Sequence, residues 1–225
     1  MRPLSFVFLP LVIVACSNPP KPTDGGGGDG GGCPCTTGTT PRSGTVCGDR
    51  IQNYAFKGYL NTDPKTKTMS GTLVDIKLSD FKDPTGMKNK LLVIITSAGW
   101  CGPCIQETQF LAGAGSTPEK LGPMGVVFMQ AIMEGVAVGT GSTQADLNDW
   151  IMKWSPNFTE VLDPEAMNLG AFSPASAVPF TVFVDARSME ILDFKKGFTG
   201  GPDLEGEVQT WLTWTMNNPP ATACP

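Results

Sequence analysis

Leu91-Leu92-Val93-Ile94-Ile95-Thr96-Ser97-Ala98-Gly99-Trp100-Cys101-Gly102-Pro103-Cys104 runs from an unbroken apolar stretch into two cysteines separated by two residues. A continuous apolar run of this length predicts a strand covered on both faces of a sheet. Pro103 suits the first turn of a helix, where its missing N–H costs nothing. The cysteine pair therefore falls where a buried strand turns into a helix, and it can close into a disulfide. The first sulfur sits at the helix N-terminus. Unpaired backbone N–H groups and the helix dipole there favour a thiolate over a thiol. A thiolate is the species that attacks disulfides.

The rest of the chain narrows the chemistry. Its 225 residues allow one ordinary domain with tails, and a net charge of −5 without a basic cluster argues against nucleic acid as a partner. Histidine is absent, which removes histidine-dependent triads, His-ligated zinc or copper and a histidine general base. Cysteine is the obvious nucleophile that remains.

Residues 1–15 read as an export signal: Arg2 supplies the positive start, and Leu4 to Ala15 is apolar apart from Ser5 and Pro10. The stretch is too short for a permanent membrane helix. Its end, Ile13-Val14-Ala15-Cys16, resembles a bacterial lipobox, which makes Cys16 the candidate lipidation site and the lipid the only membrane anchor. Residues 16–46 are rich in proline and glycine, with a glycine tract from Gly25 to Gly32 broken by Asp29, and read as a disordered tether.

Seven cysteines then divide without remainder. Cys16 goes to lipid and Cys101 with Cys104 forms the redox pair. Cys33, Cys35, Cys47 and Cys224 are candidates for two structural disulfides whose pairing stays open. A bridge inside Cys33-Pro34-Cys35 would be strained, so cross-links to Cys47 and Cys224 are favoured. No metal site is expected.

A single domain is expected over 47–218, followed by a tail at 219–225. Tyr54 to Leu60 and Gly71 to Leu78 read as strands, Ser79-Asp80-Phe81 as a short helix, and Leu91 to Thr96 as the buried strand. The helix after the motif carries Ile105, Phe110 and Leu111 and ends at Gly113-Ala114-Gly115-Ser116. Gly125 to Met133 is the next buried strand. Ala145 to Trp154 repeats Leu147, Trp150, Ile151 and Trp154 at helical spacing, with the tryptophans read as core. Val178 to Val184 and Glu190 to Phe194 form a hairpin around Asp185-Ala186-Arg187-Ser188. A last helix over Asp203 to Met216 carries the stripe Leu204, Val208, Trp211, Leu212 and Thr215. The order predicts a three-layer α/β domain.

Trp100-Cys101-Gly102-Pro103-Cys104 is identical to the active-site motif of thioredoxins, and Ala177-Val178-Pro179-Phe180-Thr181-Val182-Phe183-Val184-Asp185 resembles the segment carrying that fold's cis-proline. The strand-rich start, with Gly48-Asp49 and Leu78-Ser79-Asp80-Phe81, looks like the redoxin branch that includes exported, membrane-tethered proteins of the TlpA and ResA type. The resemblance covers about Cys47 to Met216. It implies a thioredoxin-like fold: a central mixed sheet, helices on both faces and an N-terminal β extension. It also implies roles. Cys101 is the exposed attacking thiolate and Cys104 the resolving thiol. Trp100, Gly102, Pro103, Val178 and Pro179 meet the substrate, with Pro179 in cis.

Departures from the family matter too. Thioredoxins keep a buried aspartate six residues before the first cysteine, and Ile95 stands there. Glu107 occupies a place where exported relatives often have a glutamate, and it is expected to be surface-exposed without a catalytic part. The function implied is a lipid-anchored thiol-disulfide oxidoreductase of the cell envelope, reduction favoured, with no cofactor beyond its redox-active disulfide. Its partners would be disulfide-containing exported proteins and a thiol-disulfide electron donor. A thiol peroxidase is an alternative, although Ala98 replaces the threonine that peroxiredoxins place three residues before their cysteine. A non-enzymatic surface lipoprotein with a structural disulfide is the other. A copper-delivery role would need a wider cysteine spacing and a histidine, both missing.

Overall fold

The computed structural model describes residues 44–45, 48–60, 73–172, 177–218 and 220. Residues 1–15, expected to be an export signal, and Cys16, Cys33, Cys35, Cys47 and Cys224 lie outside the described residues. The strands are β1 (Ala55–Tyr59), β2 (Val74–Lys77), β3 (Leu91–Ala98), β4 (Val126–Glu134), β5 (Thr159–Leu162), β6 (Phe180–Asp185) and β7 (Glu190–Lys196). The α-helices are α1 (Gly102–Ala112), α2 (Thr117–Leu121), α3 (Gln144–Trp154) and α4 (Gly201–Asn217). One mixed sheet carries all seven strands in the order β2-β1-β5-β4-β3-β6-β7, parallel at β3–β4 and β4–β5 and antiparallel elsewhere.

β3 lies near the middle because its sequence suits no other place. All eight of its residues are buried, as a strand covered on both faces requires. Leu92 and Ile94 point into a core shared with Phe56, Ile76, Phe81, Leu169 and Phe172. Leu91, Val93 and Ile95 point the other way, against Leu111 of α1 and Leu204, Val208 and Trp211 of α4. Each such side chain, fully buried, contributes about 1.5–3 kcal/mol relative to exposure. The first face is closed by the segment around Ile51 and by 3-10 helices at Leu78–Phe81 and Leu169–Ala171; α1 and α4 cover the second.

The predicted elements are present with shifted ends: the first two strands are shorter than their apolar patterns, and the closing helix starts two residues earlier, at Gly201. Gly201 is buried against the Phe110 ring, where a Cβ would overlap, so α4 packs tightly on α1. Among the strands and α-helices, two lie outside the sequence expectation. α2 is little more than one turn, and β5 has a fully buried Glu160 at its centre, which a hydrophobic pattern does not flag. β1 and β2 form the N-terminal extension and add to the sheet edge at β5.

Candidate active site

Cys101 is the N-cap of α1: its backbone is extended (φ −84°, ψ 107°) and its sulfur accepts the N–H of Cys104 at 3.1 Å. Gly102 and Pro103 form the first helical positions, on the surface. Cys101 and Cys104 are joined as a disulfide, their Cα atoms 5.3 Å apart. Across the sheet, the carbonyl oxygen of Val178 lies 3.6 Å from Cys101 Sγ, and the Val178–Pro179 peptide bond is cis. Pro179 is buried, and its carbonyl accepts the N–H of Gly197 at 2.8 Å, which ties the loop to the end of β7. The fold thus brings Cys101, Gly102, Pro103 and Cys104 against Val178 and Pro179.

Trp100 is 39 % exposed, and its indole N–H donates to Glu134 Oε2 at 2.5 Å. The same oxygen accepts the N–H of Gly139 at 3.0 Å, so one carboxylate holds both the tryptophan and the loop after β4. Gly99 permits this approach, because a Cβ there would press on the backbone of Gly135.

Two expectations need correction. Cys101 is not exposed: only 3 % of its surface is open, because the disulfide turns its sulfur inward beside the Val178 carbonyl. Glu107 is not on the surface either. It is fully buried, and neither carboxyl oxygen has a hydrogen-bond partner among the described residues. Burial pushes its pKa up to about 8, against the attraction of Lys195 and with the repulsion of Glu207. Lys195 is itself paired with Glu207 at 2.5 Å. The sequence held a signal for this: Cys104, Glu107, Thr108 and Leu111 follow the i, i+3, i+4, i+7 spacing of one helix face, and all four are buried.

A second polar group was also missed. Gln130 of β4 donates through Nε2 to Ser97 Oγ (2.7 Å) and Thr108 Oγ1 (2.8 Å), and its Oε1 accepts the indole N–H of Trp150 at 3.2 Å. Thr108 in turn donates to the carbonyl of Cys104 at 2.9 Å. Strand register explains the grouping. Directly paired residues share a face, and Tyr59, Glu160, Gln130, Ile95, Thr181 and Lys195 form one row across six strands, which meets α3 at Tyr59, α1 at Gln130 and α4 at Lys195. Ile95 is the apolar member at its centre. No group of three or more histidine, cysteine, aspartate or glutamate side chains among the described residues is placed to hold a metal ion.

No protein-family model and no curated protein matches this chain. Solved structures do. A thiol:disulfide interchange protein from Chlorobium tepidum superposes with a TM-score of 0.55 at 18% identity, over 76% of this chain and 98% of that one. A secreted thiol-disulfide isomerase from Corynebacterium glutamicum gives 0.52 at 16%, over 73% and 87%. The thioredoxin domain of a thiol-disulfide oxidoreductase from Bacteroides vulgatus gives 0.52 at 16%, over 74% and 98%. The fold is therefore thioredoxin-like, as in these structures, here with the Cys101–Cys104 disulfide at the start of α1 and a cis-proline beside it.

Proposed function

We propose that this chain is an exported thiol-disulfide oxidoreductase, held to a membrane by lipid on Cys16, that reduces or exchanges disulfides in exported proteins. The observation that carries the reading is the Cys101–Cys104 disulfide at the N-cap of α1, facing the backbone beside cis Pro179. The glycine tether and the lipobox-like residues before Cys16 support the location. Among the described residues no helix is long and apolar enough to cross a membrane.

In the reduced form, the Cys101 thiolate attacks one sulfur of a partner disulfide. That S–S bond breaks, one partner sulfur leaves as thiolate, and a mixed disulfide forms. The Cys104 N–H, 3.1 Å from the Cys101 sulfur, stabilises the thiolate before attack. Cys104 then loses its proton and attacks Cys101 Sγ, which releases the second partner sulfur and closes the Cys101–Cys104 bond. Two electrons have passed to the partner, and an external dithiol must restore them. Glu107, one helical turn beyond Cys104 and with a pKa near 8, can hold the proton of the resolving thiol. It takes the part that Ile95 cannot. Gly102-Pro103 between the cysteines favours the reducing direction.

The test is reduction of insulin by the dithiol form. Cys101→Ser should abolish turnover, and Cys104→Ser should accumulate a mixed disulfide at Cys101. Two variants as active as the parent would overturn the reading.

A further inference from the structure

A groove of about 450 Å³ lies between the end of β4, α1 and α3, its apolar walls in the same core cluster as Cys101 and Cys104. That volume is in the range of pockets that hold a small ligand or a large side chain. Ile105, Ile132, Trp150 and Trp154 line it, and Met152 and Val136 stand at its lip, 66 % and 79 % exposed. Exposed apolar side chains gathered next to a concave apolar site mark an interaction surface.

The groove is rigidly built. The Trp150 indole is held by Gln130, which also holds Thr108 and, through it, the carbonyl of Cys104. Trp154 packs edge-on against Trp150, ring centroids 6.2 Å apart. The loop bearing Val136 is tied down by Gly135 N–H to Thr140 O, Ser142 N–H to Met133 O and Gly139 N–H to Glu134. A wall fixed before binding costs little ordering on binding.

Charge is uneven around it. Glu134, Asp146 and Asp149 border the groove, and the one bordering cation among the described residues, Lys153, lies over the Trp154 ring at 4.8 Å. Position matters as much. Ile105 is one helical turn from Cys101, its N–H bonded to the Cys101 carbonyl. A turn advances about 5.4 Å, which an extended peptide covers in roughly two residues.

On the oxidoreductase reading, we propose that this groove seats an apolar side chain of the partner polypeptide one to three residues from its reacting cysteine, with a neighbouring Lys or Arg against the acidic border. The groove would make the enzyme selective among disulfides. Small disulfides, which cannot reach it, would gain nothing.

The experiment compares the reduced protein on disulfide-linked peptides bearing Phe-Arg-Cys or Gly-Ser-Cys and on 2-hydroxyethyl disulfide. An apolar pocket discriminates by roughly 10–200-fold, so kcat/KM should favour Phe-Arg-Cys by about tenfold. Met152→Ser and Val136→Ser, at exposed positions, remove apolar surface without adding charge; they should erase that preference and leave the 2-hydroxyethyl disulfide rate within about twofold of the parent. Phe-Glu-Cys should do worse than Phe-Arg-Cys, the gap closing at high salt. Equal rates for the peptides in the parent, or a preference that survives both substitutions, would overturn the groove. No reduction of 2-hydroxyethyl disulfide would instead defeat the oxidoreductase reading. Tryptophan-fluorescence titration with serine-for-cysteine peptides then decides the groove alone: binding that Met152→Ser weakens supports it, and no binding, or binding that Met152→Ser leaves unchanged, rejects it.

Discussion

Glu107 and Thr108 are neighbours on α1, both fully buried, yet their polar surroundings are opposites. Thr108 belongs to a neutral network with Gln130, Ser97 and Trp150 in which each side-chain donor nitrogen is used and the helix backbone at Cys104 is tied in. Glu107 faces Lys195 and Glu207 with both oxygens lacking hydrogen bonds. Satisfied buried polar groups fix geometry, and unsatisfied ones cost stability. On one buried face of the helix, the network at Thr108 therefore holds the backbone of the redox pair in place, and its neighbour Glu107 is an acid that is easy to protonate. The fold tolerates the second cost beside its reactive sulfurs, which is where proton transfer would use it.

The largest way to break this contrast is Glu107→Gln. The folded protein binds the Glu107 proton up to about pH 8, and the unfolded chain only up to about 4.5. Its folded pKa is raised, so its contribution is most favourable below pH 4.5 and is lost progressively as pH rises to 8. The slope is about 1.4 kcal/mol per pH unit, or up to roughly 5 kcal/mol across that window. Asp163 and Glu190, also raised by burial, add slopes of the same sign. The difference between parent and variant isolates Glu107. Urea unfolding at pH 5, 6.5 and 8 should show the parent losing stability much faster than Glu107→Gln. Parallel curves would mean that the carboxyl is not held neutral.

Gln130→Leu should come next, at about 3 kcal/mol and equally at every pH. It strands the Trp150 N–H and removes the donor to Ser97 and Thr108, all in a buried site. The network contains no titrating member, so the flat pH response is the discriminating readout. A loss that grew with pH would merge the two regions into one electrostatic unit.

The strand-turn-helix around the cysteines was legible because several local signals agree there: a doubly buried apolar run, a proline in the first turn and a spacing that closes a disulfide. The resemblance supplied cis Pro179, which no periodicity would reveal. Glu107 was misjudged because a lone glutamate on a short helix reads as solvated; only the 104, 107, 108, 111 spacing places it inside. Gln130 sits between Met129 and Ala131 in an apolar strand, and its partners come from three other elements, so nothing local announces the network. β5 was hidden for the same reason: Glu160 is buried by register with Gln130 and Tyr59, and register is a tertiary property.

The smallest effect is the sharpest test of what surrounds Glu107. Lys195 lowers its pKa and Glu207 raises it, while desolvation dominates both. Lys195→Met keeps the apolar stem but removes the cation, so the Glu107 titration should move further up. Glu207→Gln removes the like charge and should move it down. Carboxyl-carbon NMR titration of the oxidised protein reads both shifts directly, free of thiol titration because the sulfurs are bonded. Gln130→Leu should move it neither way, since the network it belongs to carries no charge. If Gln130→Leu shifts Glu107 as far as Lys195→Met does, the two neighbouring positions are coupled through α1 itself. The division between a positioning network and a proton-holding group would then fail.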